Sequence, residues 1–399
     1  MKTAGTGHDP ACARPDKAGI AGGTIKTVRH NNIAPHHESA RPAGRGVQEQ
    51  LTLANSPAGT DPDSHRSDLV PLLAERLSAA VLPGDTPLEG ADLAEAAAFL
   101  LDSACEREAT RAAIAIESAT NGRRRLRIAV VNDDMPFLVD SIAATLTAQG
   151  VSIDRLVHPI IPVTRDAAGR RTGLGGAETD ARESPRESFV YIETPRVDAR
   201  HRRDLIAELR RTLGDVRAAV ADWGAMREAM TADADRIGAG GGDDAGAAEA
   251  AALLGWLNGG MLTQLGHLHR NRDGSEQGAL GICRASAREI LAEASYQRAF
   301  AWFDEPDEAG EPRALLVIKA NRLSNVHRRV PLDLFIVPRR DSGGTTAALS
   351  IHAGVWTSAA LASPPQDVPV LRASLARVTR ELGLDPSGHA GKSLVHAFT

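Results

Sequence analysis

The stretch 126–163, LRIAVVNDDMPFLVDSIAATLTAQGVSIDRLVHPIIPV, holds the clearest pattern of secondary structure in the sequence. It opens on a short apolar run, Ile128–Val131, that is typical of a buried strand. After an acidic elbow, apolar side chains recur every four residues and predict an amphipathic helix over 137–148. Gly150 predicts the end of that helix, because glycine accepts left-handed dihedral angles. A second apolar run, 151–163, predicts another strand, so the stretch supplies half of a small βαββαβ module.

Two further patterns complete the predicted module. Residues 187–193 fit its next strand, and leucines at four-residue spacing over 205–213 predict its second helix. Residues 215–222 alternate weakly and fit either a fourth strand or an extension of that helix, so both remain open. The glycine-containing segment 165–185 predicts a mobile hairpin loop between the second and third strands.

The sequence divides into five regions around this module. Residues 1–65 are rich in Gly, Pro, His and Ser without periodicity and predict a disordered leader. A helical segment is predicted over 66–122, and the module itself over 123–230. Consecutive glycines predict a flexible linker over 231–247. Residues 248–399 predict a second, mostly antiparallel α/β domain of a sensory type, with a topology resembling PAS.

The second domain is predicted from short alternating runs between two helices. The helices are expected over 247–258 and 368–383. Strands are expected at 261–269, 299–303, 315–320, 332–338 and 347–356. The predicted fold class is therefore α+β.

Bulk properties exclude several classes of protein. The formal net charge of −5 does not suggest a nucleic-acid partner, and no apolar run approaches the length of a membrane span. Cys12, Cys105 and Cys283 lie far apart with no metal-ligand or redox spacing, which favours a reduced, cytoplasmic setting. The chain of 399 residues is long enough for two domains with their own cores.

No segment supplies a cofactor or metal site by its spacing. Gly238–Gly242 lacks the preceding strand that a dinucleotide turn requires, and 391–393 lacks the earlier glycine of a phosphate loop. His267 and His269 alternate on a probable strand and face one side, but no third ligand has helpful spacing. We therefore predict no catalytic, cofactor-binding or metal-binding residue in this chain.

The amino-acid sequence of the opening stretch resembles that of a known protein family. Residues 134–141, DMPFLVDS, followed by His158-Pro159, closely resemble the N-terminal region of the large bacterial NAD-specific glutamate dehydrogenases. Further similar segments are 187–193, 213–217, 220–223, 249–266, 319–321, 326–328, 355–359 and 391–394, so the resemblance covers about 85–399. It implies that the first module is an ACT domain, a regulatory unit that commonly binds amino acids at its first strand–helix elbow.

The resemblance also implies an activity for the parent enzyme. That enzyme oxidises L-glutamate to 2-oxoglutarate and ammonia with reduction of NAD, and forms homo-oligomers. Its catalysis needs a cofactor turn and a substrate-polarising lysine, and Lys319 and Lys392 lie outside any glycine-rich lysine segment of that kind. We expect the chain alone to be inactive and without a cofactor of its own, with its own catalytic domain, sister subunits and a small amino-acid effector as partners.

The elbow itself admits two interpretations. Its residues are Asn132, Asp133, Asp134, Met135, Pro136 and Phe137. The plainer one is that Asp133 and Asp134 cap the following helix. The sharper one is that the elbow binds an effector or a partner. The glycine usual in ligand-binding ACT elbows is replaced here by the bulky Phe137 or its neighbours, which favours packing against a partner domain.

Three functions follow from these patterns. The first is the regulatory and oligomerisation part of an NAD-dependent glutamate dehydrogenase. The second is a stand-alone ACT-type amino-acid sensor that acts on a separate protein. The third is a structural oligomerisation segment without a ligand. A reading frame that continues past Thr399 would favour the first, and calorimetry with amino acids would separate the second from the third.

Overall fold

The computed structural model describes residues 62–81, 84–119, 125–175, 185–240, 244–284, 290–385 and 388–397. The predicted leader, 1–65, lies outside these ranges except for 62–65, which begin the first helix. The described residues belong to one compact unit, Thr60–Thr399.

The first part of this unit is built on a twisted antiparallel sheet. Its elements are α1 (Pro62–Ala79), α2 (Gly90–Ser103), β1 (Ala113–Ala119), β2 (Arg125–Asp133), α3 (Leu138–Ala148), β3 (Arg155–Val157), β4 (Ile160–Arg165), β5 (Arg171–Leu174), β6 (Arg186–Pro195) and α4 (Ala199–Ala221). The strand order is β1-β2-β6-β4-β5, and β3 also pairs with β6.

The predicted strand–elbow–helix is confirmed. β2 is buried over 126–132, and α3 buries Leu138, Ile142 and Leu146 on one face. Gly150 has a φ of +70° just beyond the helix end, as predicted. The predicted second strand is divided into β3 and β4 by the His158-Pro159 pair, because proline cannot donate to a sheet ladder.

The helical prediction for 66–122 was wrong at its end. Residues 113–119 form β1, which pairs with β2 from Ala113↔Val131 to Ala119↔Arg125. The alanines of this segment favour a helix, but Ile114 and Ile116 alternate with them and favour a strand. The two faces of that strand pack against different apolar clusters. The predicted boundary at 123 therefore falls between two paired strands.

The open choice at 215–222 is resolved in favour of the helix. α4 continues through Ala221, and the edge of the sheet beside β2 is taken by β1, which precedes the elbow in the chain. The predicted loop 165–185 contains the β4–β5 hairpin in its described part, while 176–184 lie outside the described residues.

The second part of the unit is built on another antiparallel sheet. Its elements are α5 (Trp223–Gly240), α6 (Ala245–Trp256), β7 (Leu262–Asn271), β8 (Glu276–Gly281), α7 (Glu293–Asp304), β9 (Leu316–Leu323), β10 (Pro331–Arg340), β11 (Thr346–Trp356), α8 (Ser358–Leu361), α9 (Leu371–Glu381) and α10 (His389–Ala397). The strand order is β8-β7-β11-β10-β9. Four of the five predicted strands are confirmed with small shifts, as β7, β9, β10 and β11.

Two predictions for this part were wrong. Residues 299–303 lie in α7, whose buried Tyr296, Phe300 and Phe303 form a helical stripe; so short an apolar run does not distinguish helix from strand. The predicted linker 231–247 is helical up to Gly240 and again from Ala245, with 241–243 outside the described residues. Packing of α5 against the second sheet outweighs the low helix propensity of its glycines.

Three apolar clusters hold the layers together. One lies between α1, α2 and the first sheet, and one between α5, α6 and the second sheet. The largest joins α3, α4 and α7 to strands of both sheets. The two parts of the chain therefore share a core, in contrast to the predicted pair of separately built domains.

None of the helices in the described ranges combines the length and the apolar character that a bilayer-spanning helix requires.

Candidate functional site

The elbow between β2 and α3 has a strained backbone at its last residue. Phe137 occupies the N-cap position of α3 with φ +70° and ψ 0°, and no side chain caps the helix. The predicted capping role of Asp133 and Asp134 was therefore wrong. Left-handed dihedral angles are costly for a bulky residue and natural for glycine, so Phe137 adopts a backbone conformation that suits glycine.

The carboxylate of Asp133 is held by two arginines from outside the elbow. Arg217 of α4 donates from Nη1 to Oδ2 of Asp133 and from Nη2 to Oδ1 of Asn132, each at 2.5 Å. Arg107, on the segment before β1, donates to the other oxygen of Asp133. Burial opposes ionisation, but these two guanidinium groups lower the pKa of Asp133 below its usual value. The carboxylate is therefore ionised and already paired.

A buried carboxylate on β6, that of Glu187, holds Arg107 and a further arginine, Arg165. Glu187 accepts from Nη2 of Arg107 at 2.8 Å and from Nε of Arg165 at 2.7 Å. Glu187 and Arg107 are both almost fully buried. Although burial opposes ionisation, the hydrogen bonds from Arg165 and Arg107 lower the pKa of Glu187. The network links β6, β4 and the segment before β1 to the elbow.

The helical side of the elbow contacts the second part of the chain. The ring of Phe137 lies 5.2 Å from the ring of His327 between centroids. The backbone N–H of His327 donates to Oγ of Ser141 at 2.8 Å, and its Nδ1 lies 3.0 Å from Oδ2 of Asp140. His327 has a φ of +63°, so two residues with left-handed backbone meet at this contact.

A cleft of about 910 Å³ opens beside the network. Five arginines and two glutamates line it, together with small and apolar residues: Arg107, Arg111, Arg210, Arg211, Arg217, Glu106 and Glu108. Guanidinium groups recognise carboxylates in two-point geometry, and carboxylates recognise ammonium groups. The cleft is therefore lined by groups that can pair with both the carboxylate and the ammonium group of an amino acid.

A cluster of possible metal ligands lies in the second sheet. The sequence places no third ligand at a useful spacing from His267 and His269. The structure places His352 and Asp233 beside His267, with one donor atom of each of these three residues within 4.8 Å of the others. His269 is not a member of that group. The additional donors are distant in sequence from His267, which is why spacing could not reveal them.

The six elbow residues predicted as a site fall into two groups. Asn132 and Asp133 join the arginine network, and Asp134 accepts a hydrogen bond from Ser188 at 2.9 Å. Met135 and Phe137 pack against the shared core, and Pro136 is exposed in the turn. Sequence reasoning missed Arg107, which carries no recognisable motif, and Glu187, which was quoted only as part of a strand.

The chain matches a family model and two named relatives. Residues 74–209 match the model described as "Glutamate dehydrogenase, ACT1 domain". The NAD-specific glutamate dehydrogenase of Halomonas elongata is 29% identical over 280 residues, and that of Pseudomonas aeruginosa is 28% identical over 297 residues. The alignments cover 67% and 68% of this chain but only 17% of each relative.

A solved structure, "Structure of an RNA-binding Light-Oxygen-Voltage Receptor", covers 77% of this chain and 89% of its own at 12% identity and a TM-score of 0.17. Such a TM-score does not indicate a shared fold. The family model spans α2, β1, the elbow and α3, and its range contains Arg107, Asp133 and Glu187 but ends before Arg217. The chain is thus similar to the ACT1 domain of glutamate dehydrogenases over 74–209, and to NAD-specific glutamate dehydrogenases over about two thirds of its own length.

Proposed function

We propose that this chain is a regulatory part of an NAD-dependent glutamate dehydrogenase, with its own catalytic domain and sister subunits as partners. The observation that supports this most directly is the ACT1 match over 74–209, which contains the elbow together with Arg107 and Glu187 of the network around it. In the parent enzyme the reaction is oxidation of L-glutamate to 2-oxoglutarate and ammonia with reduction of NAD. The role of this chain is to change that activity rather than to perform it.

The elbow acts as a joint between the two parts of the chain. Its carboxylate at Asp133 is already paired with two arginines, so it is poorly suited to hold the ammonium group of a ligand. Its other side contacts the second part through Phe137 and His327. Movement of the arginines would thus reach the second part through α3.

The amino-acid effector binds in the arginine-lined cleft. Arg107 and Arg217 face both this cleft and Asp133. A carboxylate that enters the cleft competes with Asp133 for these guanidinium groups and so weakens the hydrogen bonds that hold the elbow. This coupling follows the general rule that a ligand shifts an equilibrium only by binding its two states differently.

Calorimetric titration with L-aspartate, L-glutamate and L-alanine tests the effector site. We expect binding of at least one of them, weakened about tenfold or more by Arg111→Gln and Arg210→Gln, which remove cleft guanidinium groups. Arg203→Gln, an exposed change on α4 outside the cleft, is the matched control and should leave the affinity unchanged. No heat with any of the three amino acids would reject these ligands and leave the family assignment intact.

The regulatory role has its own test. The purified chain, given L-glutamate and NAD, should form no NADH. The chain should change the rate of NADH formation when it is added to a relative's enzyme that lacks the region matched here. Turnover by the isolated chain would contradict the proposal, as would a rate that its addition leaves unchanged.

The second domain is proposed to be a sensory-type domain of the PAS kind. Numbered within its own sheet, its strand order is 2-1-5-4-3 with every pair antiparallel, which is the order of a PAS sheet. An experimental structure with a different strand order would contradict this.

A further inference from the structure

His267 and His352 lie directly opposite each other on β7 and β11. Their ring centroids are 4.7 Å apart, on the face of the second sheet that α5 covers. Asp233 reaches them from α5, and its Oδ2 accepts a hydrogen bond from Nε2 of His352 at 2.9 Å. None of the three residues is more than 3% exposed.

Hydrogen bonding among the described residues does not account for all of these nitrogen atoms. Nδ1 of His267 and Nδ1 of His352 are both buried without a protein partner, although buried polar atoms are nearly always paired. Nε2 of His352 faces Oδ2 of Asp233, so a metal ion shared by these two residues would bind Nε2 in place of its proton, and Nδ1 would carry a proton instead. Nε2 of His267 lies 3.1 Å from Oγ of Ser350. One donor atom each of Asp233, His267 and His352 therefore lies close enough to the others to share one cation.

We propose that Asp233, His267 and His352 bind a divalent transition-metal ion of the zinc type. Two imidazoles and one carboxylate are a recurring protein ligand set for zinc, and imidazole nitrogen disfavours calcium and magnesium. Ligand atoms around one zinc ion lie about 3.4 Å apart in tetrahedral geometry, so donors already within 4.8 Å need only small side-chain rotations. The fourth position falls to Ser350 or to water.

The surroundings of Asp233 support a bound cation. Arg236 donates to Oδ1 of Asp233 at 2.8 Å, which orients Oδ2 towards the histidines. Carboxylates that bind metals are commonly held by such a partner.

The other nearby charge is Arg339, whose Nη1 contacts Nε2 of His269 at 3.2 Å, beyond the three ligands. The ion would fasten α5 to the two central strands of the sheet. Because the ligands are buried, its role is structural, and it is independent of the regulatory role proposed above.

Zinc binding to the full chain tests the site. The leader carries adjacent histidines at positions 36 and 37, so the reference protein is the His36→Gln, His37→Gln chain, treated with EDTA and dialysed. We expect one zinc per chain by elemental analysis and a higher unfolding temperature after zinc is added. His267→Gln and His352→Gln should lose both effects, while His201→Gln, on α4 away from the site, should keep them.

A cobalt(II) measurement covers the case in which both variants misfold. In the cobalt-loaded reference protein, two paramagnetically shifted imidazole N–H signals are expected in the proton NMR spectrum, one for each histidine ligand. The proposal is overturned if the reference protein binds no zinc, if folded His267→Gln and His352→Gln chains bind it undiminished, or if the cobalt form shows no shifted imidazole signal.

Discussion

Glu187 is the residue on which the buried arginine network depends most. It accepts hydrogen bonds from Arg107 and Arg165, and it is far less exposed than Asp133. Removing one partner of a buried ion pair leaves the other charge without compensation, which costs much more than losing an exposed pair. The stability of the network therefore depends on the negative charge of Glu187, which replacement of one carboxylate oxygen by an amide nitrogen would remove.

The Glu187→Gln substitution tests this dependence. We expect the free energy of unfolding in urea to fall by about 3–5 kcal/mol, because two arginines lose their charged acceptor. Glu108→Gln is the matched control, since Glu108 and Arg111 are both largely exposed, and it should change stability by less than about 0.5 kcal/mol. Equal effects of the two substitutions would show that burial does not set the strength of this pair.

The same carboxylate predicts a pH dependence. The pKa of Glu187 is lower in the folded chain than its usual value of 4.5, so the unfolded chain takes up the proton first as the pH falls. The stabilisation is complete above about pH 5 and is lost as the pH falls through the lowered pKa. Urea midpoints measured from about pH 6 to pH 3 should decline more steeply for the wild type than for Glu187→Gln. Parallel profiles would contradict the assignment.

At the scale of elements, secondary structure was predicted correctly where one apolar periodicity extends over a whole helix or strand. β2, α3 and α4 carry such patterns and were found. β1 was missed because its alanines match a helix as well as a strand, and only its pairing with β2 decides between them. The helical end of α5 was missed because packing against the second sheet outweighs glycine propensity, which a local pattern cannot show.

Gly281, at the end of β8, is a position where a side chain larger than that of glycine is poorly tolerated. Its φ is +59°, and a Cβ built on it would lie 2.1 Å from the carbonyl oxygen of Leu265. We expect Gly281→Ala to lower the free energy of unfolding by at least about 2 kcal/mol, from backbone strain and the clash together.

Gly255 in α6 provides the matched control for that substitution. It is exposed, and beyond its chain neighbours and the backbone of its own helix no atom lies within 4 Å of the Cβ position. Gly255→Ala should therefore raise the free energy of unfolding by about 0.5–1 kcal/mol, because alanine favours a helix. Urea titrations of both variants would contradict the argument if the two changes had the same sign.

At the scale of the whole molecule, the site could be predicted only in part. The turn between β2 and α3 was predicted because its residues are consecutive in sequence. Arg107, Glu187 and Arg217 come from three separate elements, and the histidine cluster draws Asp233 from a helix that was expected to be a linker. Contacts of this kind depend on how helices and strands pack in three dimensions, which the spacing of residues within one segment does not reveal.

The shared core predicts that the two parts unfold together. All four tryptophans, Trp223, Trp256, Trp302 and Trp356, follow the first sheet in the chain, whereas Ile142 is buried in α3 within the shared core. Ile142→Ala should cost about 2–5 kcal/mol and shift the urea midpoint of tryptophan fluorescence as far as that of far-UV circular dichroism. A fluorescence midpoint unmoved by this change would show that the parts are independent.

The position of β1 limits how this module can be moved into another protein. Ile114 and Ile116 of β1 pack against one apolar cluster and Ala113 and Ala115 against another. A fragment cut at residue 123 would carry β2 as an unpaired edge, and exposed apolar edges promote aggregation. A transplantable version of this module must begin at α1, because α1 and α2 pack on the sheet face that includes Ala113 and Ala115. A chimaera designed from the βαββαβ pattern alone is expected to aggregate.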